Sequence, residues 1–447
     1  MTGSRGGLAR TPGVGSAGLG VLVGLAVSLQ PAIALLSVVC VGVAFLGAAQ
    51  PWLLVVGMWA GILFDRIGAT GMDVGRLPVT ASKLSVVAGV ALWAVHAAVS
   101  GARPVRWHPV LGAMVGMVAT MAFCIAWAGS IEVGQFDLAG LAMMTVMVAL
   151  VYAVLREAPL RPLYRVLGLG LVLVLLSSLR SAGAVPAGAR ASGTMGDPNE
   201  WATTVLLVGP FVLGGLADDP GRGVGPLRMA LLLLVPAAVL ASGSRSALVV
   251  GALIAPACLY LLRRRFRELV LCAAVAAAGA PLVLDVEVAM SRFGLLMQRL
   301  FGGGSAEDAS FTERTELLHQ GVQLFYDHWF IGAGPGMFPI ATGFVSQAGT
   351  LRPAHNTYLQ IASEQGVVGL VPLAIFLVTV MATLRRGFVG ARDAEGRSRV
   401  LGIAVGLAAL ALMAATLGLL TFAMAWLVLG IGLAVVGQAT DARVVAR

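Results

Sequence analysis

The residues with catalytic potential are concentrated between positions 311 and 370. This stretch has no long apolar run and holds three of the five histidines of the chain. An imidazole can accept or donate a proton near neutral pH, and a guanidinium binds anionic oxygens. The reactive side chains are Glu313, Arg314, His319, Asp327, His328, His355 and Glu364. This stretch is therefore the first place to look for a reaction site.

The elements around this stretch are those of a multi-pass membrane protein. Hydrophobic residues make up 58% of the chain, charged residues make up 11%, and the mean hydropathy is +0.92. The apolar runs lack the alternation of barrel strands, so we predict an all-α bundle of transmembrane helices. The formal charge of +9 comes from short arginine clusters between these runs. Such clusters are typical of topology signals and do not indicate a nucleic-acid partner.

The apolar runs predict 14 spans, or 12 if the first pair of helices, a hairpin that turns at Gln30 and Pro31, does not cross fully. Three short ones lie within residues 19–64, and the rest are 84–100, 109–128, 138–155, 164–180, 201–217, 227–241, 246–262, 268–284, 367–384, 399–416 and 419–437. We therefore expect transmembrane helices over 1–284, an extracytoplasmic loop region with short helices over 285–366, and transmembrane helices over 367–447. All three parts belong to one membrane domain.

Basic residues decide the orientation of such a bundle. With the N-terminus in the cytoplasm, 20 of the 30 Lys and Arg residues fall on the cytoplasmic side, together with both termini. Arg190, Arg245 and the region 285–366 then face away from the cytoplasm, where neither ATP nor nucleotide sugars are supplied. A reaction there needs a substrate that arrives already activated, and in a membrane this indicates a lipid-linked one.

The first motif on that side is residues 190–201, which begin with Arg190 and contain Gly193 and an Asp-Pro-Asn turn. Small residues allow close backbone approach, and a helix N-terminus near Asn199 would favour an anion. The alternative is an ordinary loop between helices.

The second motif is residues 242–246, with Arg245 between two apolar runs. A charge this close to the hydrocarbon is costly and usually has a partner. No acidic residue is near it in the sequence, so an anionic ligand competes with simple snorkelling to the interface.

The third motif opens a predicted helix that runs through Phe325, with Thr312 as its N-cap and Arg314 near its start. Glu313 or Glu316 could pair with Arg314 on that helix. The glycine-rich residues 332–338 follow, without a Walker lysine or a Rossmann context. We interpret them as a tight turn and not as a nucleotide site.

The fourth motif contains His355, Asn356, Glu364 and Gly366. His355 directly precedes a predicted helix, and a helix N-terminus holds an imidazole neutral, as a base or hydrogen-bond donor requires. A histidine at this position could equally be a cap or a surface residue. The four cysteines, Cys40, Cys124, Cys258 and Cys272, lie in apolar runs without CxxC spacing, which predicts buried free thiols.

Together these motifs resemble the O-antigen ligase and polymerase superfamily. The resemblance is carried by Arg190, Gly193, Pro198, Asn199, Ser244, Arg245, Arg314, Gly334, Gly336, Phe338, His355, Asn356, Leu359, Glu364 and Gly366, in the order of that family. One departure is Leu317 and Leu318, where the family often has a tryptophan a few residues after the arginine.

The resemblance implies a GT-C type glycosyltransferase in the inner (plasma) membrane of a bacterium, acting in cell-surface polysaccharide biosynthesis. Such enzymes pass a glycan from a polyprenyl (undecaprenyl) diphosphate carrier to a hydroxyl of a glycan, lipid or protein acceptor, without a metal or other cofactor. By the same resemblance, Arg190, Arg245 and Arg314 bind the diphosphate and His355 assists the reaction. Asn199, Asn356 and Glu364 support them.

The residue types suit this reaction. The donor is already activated, so the enzyme has to position the acceptor and stabilise charge on the departing diphosphate, for which arginine is well matched. His355 is either the base for the attacking hydroxyl or a hydrogen-bond donor to a phosphate oxygen, and Glu364 orients it or caps its helix. Direct displacement would invert the anomeric carbon.

Three other functions remain open from the residues alone. A polymerase that joins repeat units uses the same chemistry as a ligase and differs only in its acceptor. A transporter usually needs polar groups near the bilayer midplane or broken helices in repeated halves, and the polar groups here cluster on one face. A membrane scaffold needs neither His355 nor three arginines on one side.

Overall fold

The computed structural model describes residues 50–63, 73–74, 77–78, 81–100, 106–127, 131–184, 191–216, 225–262, 305–345 and 351–440, with the single residues 270, 274 and 294. The predicted spans within 19–49 and 268–284 therefore lie almost wholly outside the described residues. Arg190 also lies outside them.

The described chain is an all-α bundle, as predicted. Its helices are α1 (Trp52–Leu63), α2 (Ala81–Ser100), α3 (Pro109–Ile125), α4 (Ile131–Leu155), α5 (Leu160–Ala184), α6 (Pro198–Gly215), α7 (Pro226–Ser242), α8 (Arg245–Leu262), α9 (Ser305–Asp327), α10 (Phe338–Thr342), α11 (Thr357–Gly390), α12 (Ala394–Met413) and α13 (Ala423–Thr440). One small hairpin pairs β1 (Asp73–Val74) with β2 (Leu77–Pro78) in antiparallel register.

Six of the described helices are long and apolar enough to cross a membrane. They are α2, α4, α5, α11, α12 and α13. The helices α1, α3, α7 and α8 are apolar but shorter. The helix α6 matches the predicted span 201–217 and is buried from Trp201 to Gly215, so protein surrounds it on all sides. The protein is a multi-pass membrane protein.

Small residues hold α6 against α12. A side chain on Gly402 would lie 2.9 Å from the Cα of Gly214, and one on Gly406 would collide with the carbonyl of Leu207. Gly402 and Gly406 form a small-xxx-small pattern, which lets two helix backbones approach in lipid, where apolar burial alone gives no preference for a protein neighbour. This contact fixes α12 against the centre of the bundle.

The two ends of α12 lie against different polar groups. At its N-terminal end, Glu395 accepts hydrogen bonds from Arg161 at 3.1 and 2.7 Å and also pairs with Arg399. At its C-terminal end, the carbonyl of Ala414 accepts a 2.8 Å hydrogen bond from the N–H of Thr357. A helix of this length is about 30 Å long. The arginine-rich end of the bundle is therefore opposite to the end where α11 begins.

The helix α11 is broken at Gly366, which has φ 61° and ψ −156°. The four main-chain groups that the break releases are satisfied by residues 329–334. Ala333 and Gly334 donate to the carbonyls of Ser363 and Glu364 at 2.9 Å, and the N–H groups of Val367 and Val368 donate back to the preceding loop at 2.9 and 3.1 Å. Non-helical backbone at the membrane surface is tolerated when protein satisfies it in this way.

Glycine is required on both sides of this junction. A side chain on Gly332, at φ 81°, would collide with the main chain of Glu364, and one on Gly366 would lie 2.7 Å from the carbonyl oxygen of Trp329. The break coincides with the boundary predicted at 366 between the loop region and the last transmembrane part. The division into three parts itself stays a prediction.

Candidate active site

The four motifs meet at the end of the bundle where α11 begins. The N–H of Ala191, in the first motif, donates to the carbonyl of Ala241, beside the second motif, at 3.0 Å. Asp197 of the first motif and Arg314 of the third both act electrostatically on His355 of the fourth. Residues separated by more than 150 positions in the sequence thus form one neighbourhood.

A small apolar core positions the third and fourth motifs against each other. Leu317 of α9, Phe338 of α10, Leu359 of α11 and Ala354, which precedes α11, are all buried in it, separately from the main core of the bundle. Gly321 allows the contact, because a side chain there would lie 2.6 Å from Leu359. Arg314 is one helical turn before Leu317, and His355 follows Ala354, so this core sets the distance between the two functional side chains.

His355 has an unusual backbone conformation. It is the only described residue other than glycine with a positive φ, at 47°, a region that costs a non-glycine residue energy. The next residue, Asn356, caps α11, because its Oδ1 accepts hydrogen bonds from Tyr358 and Leu359 at 3.0 Å. The capping role predicted for His355 as an alternative thus belongs to Asn356. His355 is half-buried.

Burial lowers the pKa of His355 below its ordinary value of 6.5, and the charges of Arg314 and Arg352 lower it further. The carboxylates of Glu313 and Asp197 act in the opposite direction. The imidazole is therefore neutral at pH 7, as predicted, but the main causes are burial and two guanidinium groups. A neutral ring can accept a proton from a hydroxyl or donate one hydrogen bond.

The structure of the third motif, around Arg314, differs from the prediction in where its helix begins and in the partner of Glu313. The helix α9 begins at Ser305, so Thr312 lies inside it and is not an N-cap. Glu313 does not pair with Arg314 on the same helix, because its carboxylate lies 2.8 Å from the Nε of Arg352. Glu316 instead accepts a hydrogen bond from Gln320 at 2.8 Å. Within the described chain, Arg314 is half-buried and forms no ion pair.

Arg352 is a functional candidate that the sequence reasoning missed. It is three residues before His355, and its main-chain N–H donates to the carbonyl of Phe344 at 3.1 Å, next to an isolated bridge between Val345 and Leu351. The only signal in the sequence was one more arginine close to His355. The candidate role of Arg352 depends on its ion pair with Glu313, and no local sequence pattern indicates that pair.

The first motif is organised by Asp197. Its Oδ1 accepts hydrogen bonds from the N–H groups of Asn199 and Glu200 at 2.7 and 3.0 Å, with Pro198 at the first position of α6. The predicted helix N-terminus near Asn199 is thus present, but a carboxylate of the chain already occupies two of its N–H groups. Gly193, at φ 54°, packs where a side chain would collide with the buried ring of Trp201.

The second motif is a tight connection between α7 and α8. Gly243 ends α7 with φ 59°, and the Oγ of Ser244 accepts a hydrogen bond from Ala247 at 3.4 Å in the first turn of α8. Arg245 is the first residue of α8 and is exposed at the same end of the bundle as His355.

Glu364 supports the site through the glycine-rich turn. The side chain is 1% exposed, and its carboxylate accepts hydrogen bonds from Phe338 N–H at 3.1 Å and from Gln360 at 3.3 Å. The N–H of Gly336 also points to it, and Asp137 of α4 lies nearby. The cap of α11 is Asn356, and the orientation of His355 by Glu364 stays a prediction. Residues 332–338 are the tight turn that the sequence predicted.

The other candidates of the reactive stretch are exposed to solvent. His319, Asp327 and His328 are exposed on or just after α9. Within the described residues, no three side chains of His, Cys, Asp or Glu come close enough together to hold a metal ion. The described cysteines, Cys124 and Cys258, are free thiols.

The fold and the site define a helical membrane protein with a neutral histidine beside arginines at one end of the bundle. Residues 229–374 match the family model described as O-antigen ligase. The matched segment runs from α7 through His355 and the break in α11, and it confirms the resemblance to the O-antigen ligase superfamily. It also supports a ligase- or polymerase-type function in general. A search of curated proteins finds no match for this chain.

Proposed function

We propose that this protein transfers a glycan from a polyprenyl diphosphate carrier to an acceptor hydroxyl. The observation that carries the proposal is the neutral His355 beside Arg314, held together by the small apolar core of α9, α10 and α11. The site therefore offers a proton acceptor next to a cation without an ion pair in the described chain. These are the two groups that such a transfer needs.

In this reaction the acceptor oxygen attacks the anomeric carbon of the donor sugar. The bond from that carbon to the phosphate oxygen breaks, and the electron pair leaves with the polyprenyl diphosphate. His355 takes the proton of the hydroxyl, and Arg314, Arg245 and Arg190 stabilise the negative charge of the leaving diphosphate. Attack opposite to the leaving group inverts the anomeric configuration.

The surface of α9 supports a lipid-linked donor. Leu318, Val322 and Trp329 are exposed on one face of α9 and just beyond its end, at spacings of four and seven residues. The carbonyl of Trp329 accepts a hydrogen bond from Val367, where the exposed apolar face of α11 begins and continues through Val371. Exposed apolar residues thus lie both on the membrane span α11 and on the helix that carries Arg314. A polyprenyl chain in the bilayer would present its diphosphate at this level.

The orientation is part of the proposal. The site end is opposite to the Arg161, Glu395 and Arg399 cluster, which the arginine distribution assigns to the cytoplasm. Both termini then lie in the cytoplasm, and His355 faces the extracytoplasmic side of a bacterial inner membrane. Reporter fusions after residues 304 and 393 should report opposite sides.

A ligase and a polymerase would use every residue named so far in the same way and would differ only in the acceptor. A transfer assay separates them, with purified protein in nanodiscs, a polyprenyl diphosphate oligosaccharide and a panel of acceptors. A single transfer product identifies a ligase, and a ladder of repeat units identifies a polymerase.

The variants in this assay test the site. His355→Ala and Arg245→Ala should each lose transfer, and His319→Ala is the matched control because His319 is an exposed histidine of α9 to which the proposal gives no role. Full turnover by the His355 variant would contradict the proposed role of that side chain. Absence of turnover by the native chain across a broad donor panel would favour transport over transfer.

A further inference from the structure

We propose that Arg352 is a further diphosphate-binding residue, and that Glu313 occupies in the free protein the position of a donor phosphate. The inference rests on the proposed function. Its starting point is the 2.8 Å ion pair between the Nε of Arg352 and the carboxylate of Glu313. This pair joins α9 to the segment that leads into α11, across the site.

Both partners are adjacent to residues of the site. Glu313 immediately precedes Arg314 on α9, and Arg352 is three residues before His355. Arg352 and Arg314 both act electrostatically on the His355 ring. The two guanidinium groups therefore approach the same histidine from two separate segments, as two arginines would when they bind one diphosphate from two sides.

The main chain of Arg352 is held in place independently of Glu313. Its N–H donates to the carbonyl of Phe344, and the adjacent Leu351 bridges to Val345. Loss of the ion pair thus leaves Arg352 where it is and frees only its side chain. This is the behaviour expected of a binding residue with a temporary partner.

The charges around His355 explain why a donor phosphate would have to replace Glu313 beside Arg352. The described charged groups that act on the ring are two cations, Arg314 and Arg352, and two anions, Glu313 and Asp197. Asp197 is engaged as the cap of α6. Without a donor, the carboxylate of Glu313 compensates Arg352, and a diphosphate would have to replace it to use that cation.

The exposure of the pair makes the exchange feasible. The side chain of Arg352 is 38% exposed and that of Glu313 is 28% exposed. Ion pairs with this much solvent contact contribute little to stability, so replacing Glu313 by another anion costs the fold little. The Nε of Arg352 is buried and has no hydrogen-bond acceptor of good geometry in the described chain, so it can gain one from a phosphate. A diphosphate carries more negative charge than the carboxylate and can accept hydrogen bonds from the planar guanidinium.

The test measures equilibrium binding of polyprenyl diphosphate to the full chain in zwitterionic nanodiscs. Arg352→Gln should bind about tenfold more weakly, the loss expected for one charge-assisted hydrogen bond. Glu313→Gln should bind several-fold more tightly, because the competing carboxylate is gone. The double variant should bind like Arg352→Gln, because Glu313 acts only through Arg352.

Glu316→Gln is the matched control for Glu313→Gln. It removes the same charge from the exposed face of the same helix and should leave the affinity unchanged. The unfolding temperature of each variant shows whether the fold is retained. A Glu313→Gln variant that binds more weakly, with a lowered unfolding temperature, would show that the pair is a structural contact and would overturn the assignment.

The other outcomes of this experiment distinguish a lipid headgroup from the donor diphosphate as the ligand of Arg352. They also distinguish failure of this inference from failure of the proposed function. If nanodiscs rich in anionic phospholipid compete for the site, and Arg352→Gln abolishes the competition, the cation binds a lipid headgroup and not the donor. If the native chain binds polyprenyl diphosphate and Arg352→Gln binds it equally, only this inference fails. If the native chain binds no polyprenyl diphosphate, the proposed donor fails as well.

Discussion

The carboxylate of Glu364 in α11 accepts a hydrogen bond from the main-chain N–H of Phe338, 3.1 Å away, at the start of α10. This contact joins the broken transmembrane helix to the glycine-rich turn, and Phe338 in turn packs in the apolar core beside Leu317. The geometry of the site therefore depends on a buried side chain that lies outside it.

The first prediction concerns this contact. Glu364→Ala should destabilise the fold by about 1–3 kcal/mol, because the N–H of Phe338 is left buried without an acceptor. Glu364→Gln keeps an acceptor of the same length and should lose much less. Thermal unfolding in nanodiscs measures both, and equal losses for the two variants would contradict the role of the hydrogen bond.

The second prediction concerns the pH dependence of transfer. If His355 is the base, kcat/KM falls as the pH drops through the pKa of the ring, which lies below 6.5. Glu313→Gln and Asp197→Asn each remove a charge that raises this pKa, so the acid limb should move to lower pH. Arg352→Gln removes a charge that lowers the pKa, so the limb should move to higher pH.

Asparagine at 197 retains the helix cap, which separates the charge effect from a loss of structure. Glu316→Gln provides the neutral control and should leave the profile in place. Shifts in the same direction for Glu313→Gln and Arg352→Gln would show that the limb does not report the titration of His355.

The third prediction compares two neighbouring leucines of α9. Leu317 is fully buried in the small core, whereas the Leu318 side chain is 48% exposed. Leu317→Ala should cost about 2–5 kcal/mol if the core cannot collapse around the cavity, and it should reduce transfer by misplacing Arg314. Leu318→Ala should change the stability by no more than about 0.5 kcal/mol. Parallel unfolding and transfer measurements decide between these outcomes.

The fourth prediction concerns the contact between α6 and α12. Gly402→Ala places a methyl group against Gly214 and the carbonyl of Pro210, and overpacking of this kind costs about 1–3 kcal/mol. The methyl group added by Gly437→Ala in α13 would point into open space, so this substitution should stabilise its helix by up to about 1 kcal/mol. Equal effects at the two positions, measured by thermal unfolding, would show that α6 and α12 are not in close contact.

The sequence by itself determined the class of the protein and predicted where the candidate site lies. Apolar runs of spanning length allow only helices in lipid, because the backbone has to satisfy its own hydrogen bonds there. A histidine, several arginines and a glycine-rich turn on one predicted side indicated the region of Arg314 and His355. Their roles in catalysis remain predictions that the experiments above test.

Only the tertiary structure decided how these residues are held and what they contact. The break in α11 at Gly366 depends on hydrogen bonds from a loop more than 30 residues away, and the pairing of Glu313 with Arg352 joins positions 39 apart. Helix periodicity carries no information about such contacts, so the local pattern offered only Arg314 as a possible partner of Glu313 or Glu316. The low pKa of His355 likewise follows mainly from burial and from guanidinium groups that folding brings to it, which no spacing in the sequence encodes.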